Sequence, residues 1–395
     1  MSGEPLATLV EPVVVDVDTA RRAAEAACPA VAGRLARLRP RLADAGVDAL
    51  VVSGLANVRY LTGFTGSAGI LVVGAERAVL LTDGRYRTQV AEQLRAAGLE
   101  HSVEAMVGGA EAQRAALAAL FSDPPGRRVG LEADHVSWST VRRWATLSPS
   151  AELVPTNGLV EELRMVKDDG EIALMTLAAA VADAALAETL PALAPGTTEA
   201  VVAERLDAAM RRLGAEDRAF ETIVASGPNA AKPHHRAGGR VIEARDLVVI
   251  DFGATVAGYR SDMTRTFAVG RPPRQPLADV HRLVATSQQA GVAAVGPGVA
   301  AGDVDAVCRR VIADAGYGDA FEHGTGHGVG LDIHEAPSVS AGATAILSPG
   351  VVVTVEPGVY LAGAGGVRIE DTVVVTDDGC RPLTRFPKEP VLVRT

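Results

Sequence analysis

An apolar strand carrying one acid, a short turn, and a second strand carrying another acid occur twice in this chain. Residues 246–254 read DLVVIDFGA, with Asp251 inside the apolar run, and residues 259–269 read YRSDMTRTFAV, with Asp262. The midpoint of the two aspartates is 256.5, inside the turn TVAG. A regular hairpin therefore sets them opposite each other, with Cβ atoms roughly 4.5–5.5 Å apart. Farther along, VVVTVE (351–356) ends on Glu356, and GVRIEDTVVV (366–375) holds Glu370. Their midpoint falls at Gly363, in the loop PGVYLAGAG.

The two hairpins belong to a larger repeat. Residues 171–190 read as helix, followed by Pro195-Gly196 and a second helix at 198–214. Residues 276–294 read as helix, followed by Pro297-Gly298 and a second helix at 302–316. Asp251 and Glu356 are 105 residues apart, Asp262 and Glu370 are 108 apart, and the second helices start about 104 apart. One spacing relates helices and acids, which predicts two similar half-domains facing each other.

Acids placed this way need compensation. Like charges opposed across a ladder are destabilising, and buried carboxylates resist ionising. A pair of divalent cations would neutralise them and form a hydrolytic centre. The bland alternative leaves the acids solvated, or paired with Arg260, Arg265 and Arg368. Two matched hairpins argue against it.

Three of the eight histidines, His323, His327 and His334, fall within twelve residues, in EHGTGHGVGLDIHEAP. Gly324, Gly326, Gly328 and Gly330 alternate through this run, which lets the backbone approach a ligand closely and adopt positive φ. A neutral imidazole among oxygen ligands suits Mn, Co, Fe or Zn. An oxygen-rich set is unlike a closed structural zinc site. His234 and His235 lie in IVASGPNAAKPHHRAG, a turn-rich segment before the first acidic strand.

Upstream, helical runs at 31–45, 86–96 and 110–121 interleave with strand-like runs at 49–53, 69–73, 77–82, 101–107 and 128–132. This alternation predicts an α/β layer domain. Pro155, Asn157 and Gly158 form a turn cluster that puts a boundary near 155–165, giving domains 1–160 and 161–395. Residues 1–28 read as an extension that packs on the body or on a partner chain.

Composition narrows the function classes. A hydrophobic share of 48% excludes wholesale disorder, and 395 residues suffice for two cores. The net charge of −10 argues against nucleic acid or an anionic membrane as partner. No basic segment precedes a long apolar core at the amino terminus, so no signal peptide is expected. The stretch 172–190 comes closest to a membrane span, but Asp183 and Glu188 interrupt it. Cys28, Cys308 and Cys380 are too scattered for a disulfide framework and fit free thiols in a reducing cytoplasm.

The segments IVASGPNAAKPHH (223–235), IDFGATVAGYRSDMTRT (250–266), HGTGHGVGLDIHEAP (323–337), TVEPGVY (354–360) and GVRIEDTVVVT (366–376) resemble the pita-bread metallopeptidases, specifically the Xaa-Pro aminopeptidases and Xaa-Pro dipeptidases. NVRYLTGFTGS (57–67) and LLTDGRY (80–86) resemble that family's amino-terminal domain. The resemblance covers nearly the whole chain. It implies an α+β protein: a pita-bread catalytic domain with a curved antiparallel sheet, outer helices and a pseudo-twofold, plus a creatinase-like α/β amino-terminal domain. It implies metal ligation by Asp251, Asp262, His327, Glu356 and Glu370, with Asp262 and Glu370 bridging. His234, His323 and His334 match histidines that face substrate or steady the transition state. Glu356 matches the proton carrier, and Arg368 an arginine beside the bridging glutamate. The implied reaction is hydrolysis before a proline at the second position of a small peptide, with two divalent ions, Mn foremost and Co, Zn or Fe as alternatives. A cytoplasmic homodimer is expected. The competing readings are a creatinase-like amidinohydrolase, which lacks the metal ligands; a methionine aminopeptidase, which lacks the large first domain; and a non-catalytic binding module on the same scaffold.

Overall fold

The computed structural model describes residues 7–8, 16–123, 125–388 and 391–393. The chain forms two compact units. One covers Ala30–Arg164; the other covers Met165–Thr395 together with the described residues of 1–29.

In the first unit, a six-stranded mixed sheet runs in the order Glu104–Val107, Ala78–Thr82, Ile70–Gly74, Ala49–Val52, Arg128–Glu132, Glu152–Thr156. Its centre is antiparallel and its flanks are parallel. The strands with near-continuous apolar sequence, such as ALVV and AVLLT, are buried along their whole length. Sequence periodicity finds the first five strands and three of the helices. It misses the helices Leu55–Thr62 and Trp138–Ala145 and the last strand, Glu152–Thr156. All three are short, and Pro155 inside the strand reads as a turn signal.

The second unit carries the duplication. The helices Asp169–Thr189 and Glu199–Arg212 accompany the strands Ile223–Ser226, Leu247–Phe252 and Met263–Val269. The helices Leu277–Ala294 and Ala301–Asp314 accompany the strands Gly326–Gly328, Val352–Val355 and Asp371–Val375. In each set the three strands are antiparallel neighbours in chain order. The helix Val17–Ala26 belongs to this unit: Arg21 donates to Leu213 O at 2.9 Å. Assigning 1–160 to the first domain is thus corrected at its start, because the helix Val17–Ala26 packs within the other unit.

Alternation along the strands sorts side chains between two faces. Val248, Ile250 and Phe252 enter the core under the first helix pair, as do Met263 and Phe267. Val353, Val355, Val373 and Val375 enter the core under the second pair. The other parity holds Asp251, Asp262, Glu356 and Glu370. The helices therefore cover one face, and the acids gather on the other.

The helix Asp169–Thr189 shows how the first half is built. Asp168 and Glu171 form a reciprocal capping box at its start. Its apolar run is long enough to cross a membrane, yet Ala178, Ala182 and Ala185 are fully buried in the protein core. Small side chains let the helix approach the sheet, so that Ser261 Oγ donates to Ala178 O at 3.2 Å. Asp183, the acid interrupting the run, is buried and accepts the N–H groups of Arg385 at 2.8 Å and Phe386 at 3.2 Å. Burial pushes its carboxyl up to about 6.

This close contact leaves little room for growth. Ala182→Leu should destabilise the protein by about 1–3 kcal/mol through overpacking, measured as a lower urea midpoint at unchanged slope. An unchanged midpoint would contradict the packing described.

Candidate metal centre

The two hairpins deliver their acids in different registers. Ladders on both sides of the second hairpin pair Val355 with Asp371 and Gly358 with Arg368, which sets Glu356 opposite Glu370 as their midpoint predicts. The first hairpin pairs Asp251 with Thr264. Its turn is the two-residue Ala257-Gly258, at φ 45° and 76°, one position beyond the predicted centre. Asp251 and Asp262 are therefore diagonal neighbours on one face, not directly opposed.

The half-sheets meet edge to edge at the acids. Glu370 N donates to Thr264 O at 3.1 Å, and Thr372 Oγ1 donates to Asp262 O at 2.8 Å. Arg265 reinforces the seam from behind. Its guanidinium donates to Thr264 O at 2.9 Å and to Glu370 O, and pairs with buried Asp371 at 2.7 Å.

A cleft of about 510 Å³ opens over this seam. All nine residues singled out from the sequence line it: Asp251, Asp262, His327, Glu356, Glu370, His234, His323, His334 and Arg368. One ligating atom each from Asp262, His327 and Glu370 lies within 4.8 Å of the other two. His327 Nε2 is 3.6 Å from Asp262 Oδ2 and 3.4 Å from Glu356 Oε1. His327 Nδ1 donates to Gly328 O at 2.9 Å. That bond fixes the tautomer and points the lone pair of Nε2 at the carboxylates, as a metal-binding imidazole requires.

The acids are poorly compensated by the protein alone. Asp251 Oδ1 and Glu370 Oε1 are buried with no hydrogen-bond partner among the described residues. Burial, followed by the charges of Glu370, Asp251 and Glu356, drives Asp262 well above the carboxylate range. Burial and the charges of Glu356 and Asp251 do the same to Glu370. Burial pushes Glu356 up to about 7. Of the three arginines that could have neutralised the acids, only Arg368 reaches one. It pairs with Asp251 Oδ2 at 2.5 Å; Arg260 donates to Ala219 O, and Arg265 serves Asp371. Orphaned oxygens, mutual repulsion and an aimed imidazole all fit divalent cations at this site.

Residues not singled out from the sequence brace the cluster. Thr264 Oγ1 donates to Glu370 Oε2 at 2.7 Å and accepts from Arg368 Nε at 3.1 Å. Thr354 Oγ1 donates to Glu356 Oε1 at 3.1 Å. Period-two reading could have found both, since Thr264 lies two residues past Asp262 and Thr354 two before Glu356. Tyr360 accepts from Arg368 Nη1 at 2.9 Å and donates to His323 Nε2 at 2.8 Å, while His323 Nδ1 donates to Gly324 O at 2.7 Å. Both nitrogens of His323 are thereby engaged. Burial holds it near 4 and pushes Tyr360 up to about 12, so both rings are neutral. His334 stacks edge-on against His327 with ring centroids 4.4 Å apart. It is held below the usual imidazole range by burial and then by its neighbour His327.

The glycine run works through close approach alone. A Cβ on Gly326 would lie 2.0 Å from Thr354 O, and one on Gly328 would lie 2.2 Å from Ala336 O. None of Gly324, Gly326, Gly328 and Gly330 has positive φ, so the conformational freedom the run allows is not used. The strand carrying His327 simply needs to lie flat between its two neighbours.

Residues 173–377 match the model of metallopeptidase family M24. The chain belongs to this family. Residues 34–166 match the Creatinase/Prolidase N-terminal domain, so the fold is a pita-bread peptidase unit preceded by a creatinase-type unit. The uncharacterized peptidase YqhT of Bacillus subtilis (strain 168) is 41% identical over 361 residues, covering 91% of this chain and 100% of that protein. Among solved structures, the Xaa-Pro dipeptidase from Bacillus anthracis superposes with a TM-score of 0.87 at 38% identity, covering 92% of this chain and 99% of that one. The X-Pro aminopeptidase from Thermotoga maritima MSB8 gives 0.81 at 35% identity, covering 91% and 99%. The M24 chain is therefore a metallopeptidase, and its family implies divalent metal ions.

The cluster makes the metal-free peptidase sensitive to pH. Glu356, Asp262 and Glu370 have folded-state pKa values above those of an unfolded chain, which lie at about 4. The folded state then binds more protons than the unfolded one, so stability falls as pH rises from about 4 through about 7. With EDTA, the Tm should drop between pH 5 and pH 7.5. Saturating Mn²⁺ should remove most of that slope. A Tm in EDTA that is flat across this range would show that the acids are not mutually repelling.

Proposed function

We propose that this metallopeptidase hydrolyses the peptide bond between an amino-terminal residue and proline, using two divalent cations held by Asp251, Asp262, His327, Glu356 and Glu370. The observation that carries the ligand assignment is the pair of orphaned oxygens, Asp251 Oδ1 and Glu370 Oε1, converging with the lone pair of His327 Nε2 on one cleft. The substrate class rests on the Xaa-Pro relatives, which cover nearly the whole of this chain. One imidazole among carboxylates suits Mn, with Co, Fe and Zn as competitors.

Cations held by these residues would supply positive charge that lowers the pKa of water and polarises a carbonyl. Glu356 takes the proton of the attacking water and delivers it to the departing proline nitrogen. His334, beside His327 on the cleft wall, donates to the carbonyl oxygen as charge builds on it. His234 contacts the peptide from the opposite loop. His323, with both nitrogens engaged, holds Tyr360 and through it Arg368, which keeps Asp251 oriented. Proline forms a tertiary amide without an N–H, so recognition falls to the cleft walls rather than to a backbone donor on the substrate. The same reading includes a homodimer and a reducing compartment; the three unpaired cysteines support the latter.

Release of proline from Ala-Pro should require Mn²⁺ or Co²⁺ and stop in EDTA. A longer Xaa-Pro peptide assayed in parallel separates dipeptidase from aminopeptidase. Glu356→Ala should lower kcat by about 10²–10⁴-fold. Full activity in a variant shown by elemental analysis to carry its metal would remove Glu356 from the proton path. Absence of proline release from any Xaa-Pro peptide by the metal-loaded protein would overturn the substrate assignment.

A further inference from the structure

The cleft wall that carries His234 is held by a residue outside the cleft. After the strand Ile223–Ser226 and the short turn Gly227–Ala231, the chain passes through Pro233, His234, His235 and Arg236, all of which line the cleft. Glu199 starts the helix Glu199–Arg212, and its side chain is 0% exposed. Its carboxylate accepts from Ser226 N at 2.8 Å, Ser226 Oγ at 2.7 Å, Asn229 Nδ2 at 3.1 Å, His235 Nε2 at 2.8 Å and Gly238 N at 3.4 Å. These donors run from Ser226 at the end of the strand to Gly238, on both sides of His234. Burial pushes Glu199 upward, but the hydrogen bonds from Ser226, Asn229 and His235 outweigh it and hold the carboxyl below its usual range. Its negative charge also sits in the first turn of a helix, where the macrodipole favours it.

The two adjacent histidines therefore have different surroundings. The His235 side chain is 14% exposed and turned toward Glu199. His234 is exposed and faces the cleft. A second tie comes from the metal centre, where Arg368 Nη1 donates to Pro233 O at 3.3 Å. The loop is pinned on one side by Glu199 and on the other by the arginine that orients Asp251.

We propose that Glu199 and His235 are positioning residues that set the place of His234 on the cleft wall and so govern binding of the peptide. The proposal deepens the Xaa-Pro reading and depends on it only for its kinetic arm. Glu199→Gln loses the charge that holds the loop donors, His235→Ala loses one donor, and His235→Gln keeps a donor at the same reach. With Ala-Pro and Mn²⁺, Glu199→Gln and His235→Ala should each raise KM by about tenfold, with kcat changed by less than about threefold. Bound metal should be unchanged, and His235→Gln should recover most of the loss. In a His234→Ala background the same substitutions should add little, because residues acting through one another are not additive.

An arm independent of catalysis follows the histidine ring resonances by NMR. The His234 signals should move in Glu199→Gln and His235→Ala, while the His327 signals stay in place. Full additivity in the His234→Ala background, or unmoved His234 resonances in a folded His235→Ala protein, would overturn the proposal. If the parent protein releases no proline, the substrate reading fails and the ring resonances still decide this one.

Discussion

Four carboxylates repel one another on the inner face of the catalytic unit, and the surrounding structure is arranged to tolerate that. Strand alternation sends Asp251, Asp262, Glu356 and Glu370 to the face opposite the helices, into a site where burial strips away most of the water that would screen them. Arg368 relieves one acid. The others remain unfavourable in the protein alone, since Asp262 and Glu370 are forced toward the protonated form. A sequence selected only for stability would place apolar residues here. Keeping acids at a locally unfavourable position is the signature of a site whose ligand completes it.

Such a cluster needs a rigid frame, and the frame lies on the far side of the sheet. Asp371, next in sequence to Glu370, points away from the cleft and accepts from Arg265, Gln288, Thr384 and Lys388. Two successive acids thus have opposite fates. Asp371 is held below its normal range despite burial, because Arg265 and Lys388 answer its charge. Glu370, facing the cleft, meets Thr264 and other acids. Removing Arg265 would leave Asp371 short of a buried partner, a change of the kind that costs about 3–5 kcal/mol. It would also release the carbonyl of Glu370.

How much of this the sequence discloses depends on whether a feature is local and periodic. The long helices, the apolar strands and the register of the second hairpin are both, and Glu356 falls opposite Glu370 as its spacing implies. The first hairpin departs by two residues, Asp251 pairing with Thr264, because the turn closes on Ala257-Gly258, a backbone preference that a midpoint does not encode. Residues 1–28 read as an appendage, since nothing within Val17–Ala26 specifies the surface it packs on. Tyr360, Arg368 and His323 form one chain, but their contacts join the strands Gly358–Leu361 and Gly365–Arg368 to a segment 37 residues from Tyr360, beyond the reach of local periodicity. The pairing of His235 with Glu199 spans 36 residues and joins a loop to a helix start. Sequence spacing offers no means of separating that histidine from its neighbour.

The duplication explains where the acids come from, but the centre is not two copies of a half-site. The first half contributes two aspartates on diagonal positions. The second contributes two glutamates on opposed positions, with longer side chains, and the imidazole of His327. The contacts that complete the site cross between halves: Arg368 reaches back to Asp251, Thr264 reaches forward to Glu370, and Thr372 holds the backbone of Asp262. Three of the four acids are thus held from the opposite half, while Glu356 takes its hydrogen bond from Thr354 in its own half. A change in register or side-chain length on one half alters the distance at which the other half's threonine or arginine must act, which ties the asymmetry of the ligands to the symmetry of the fold.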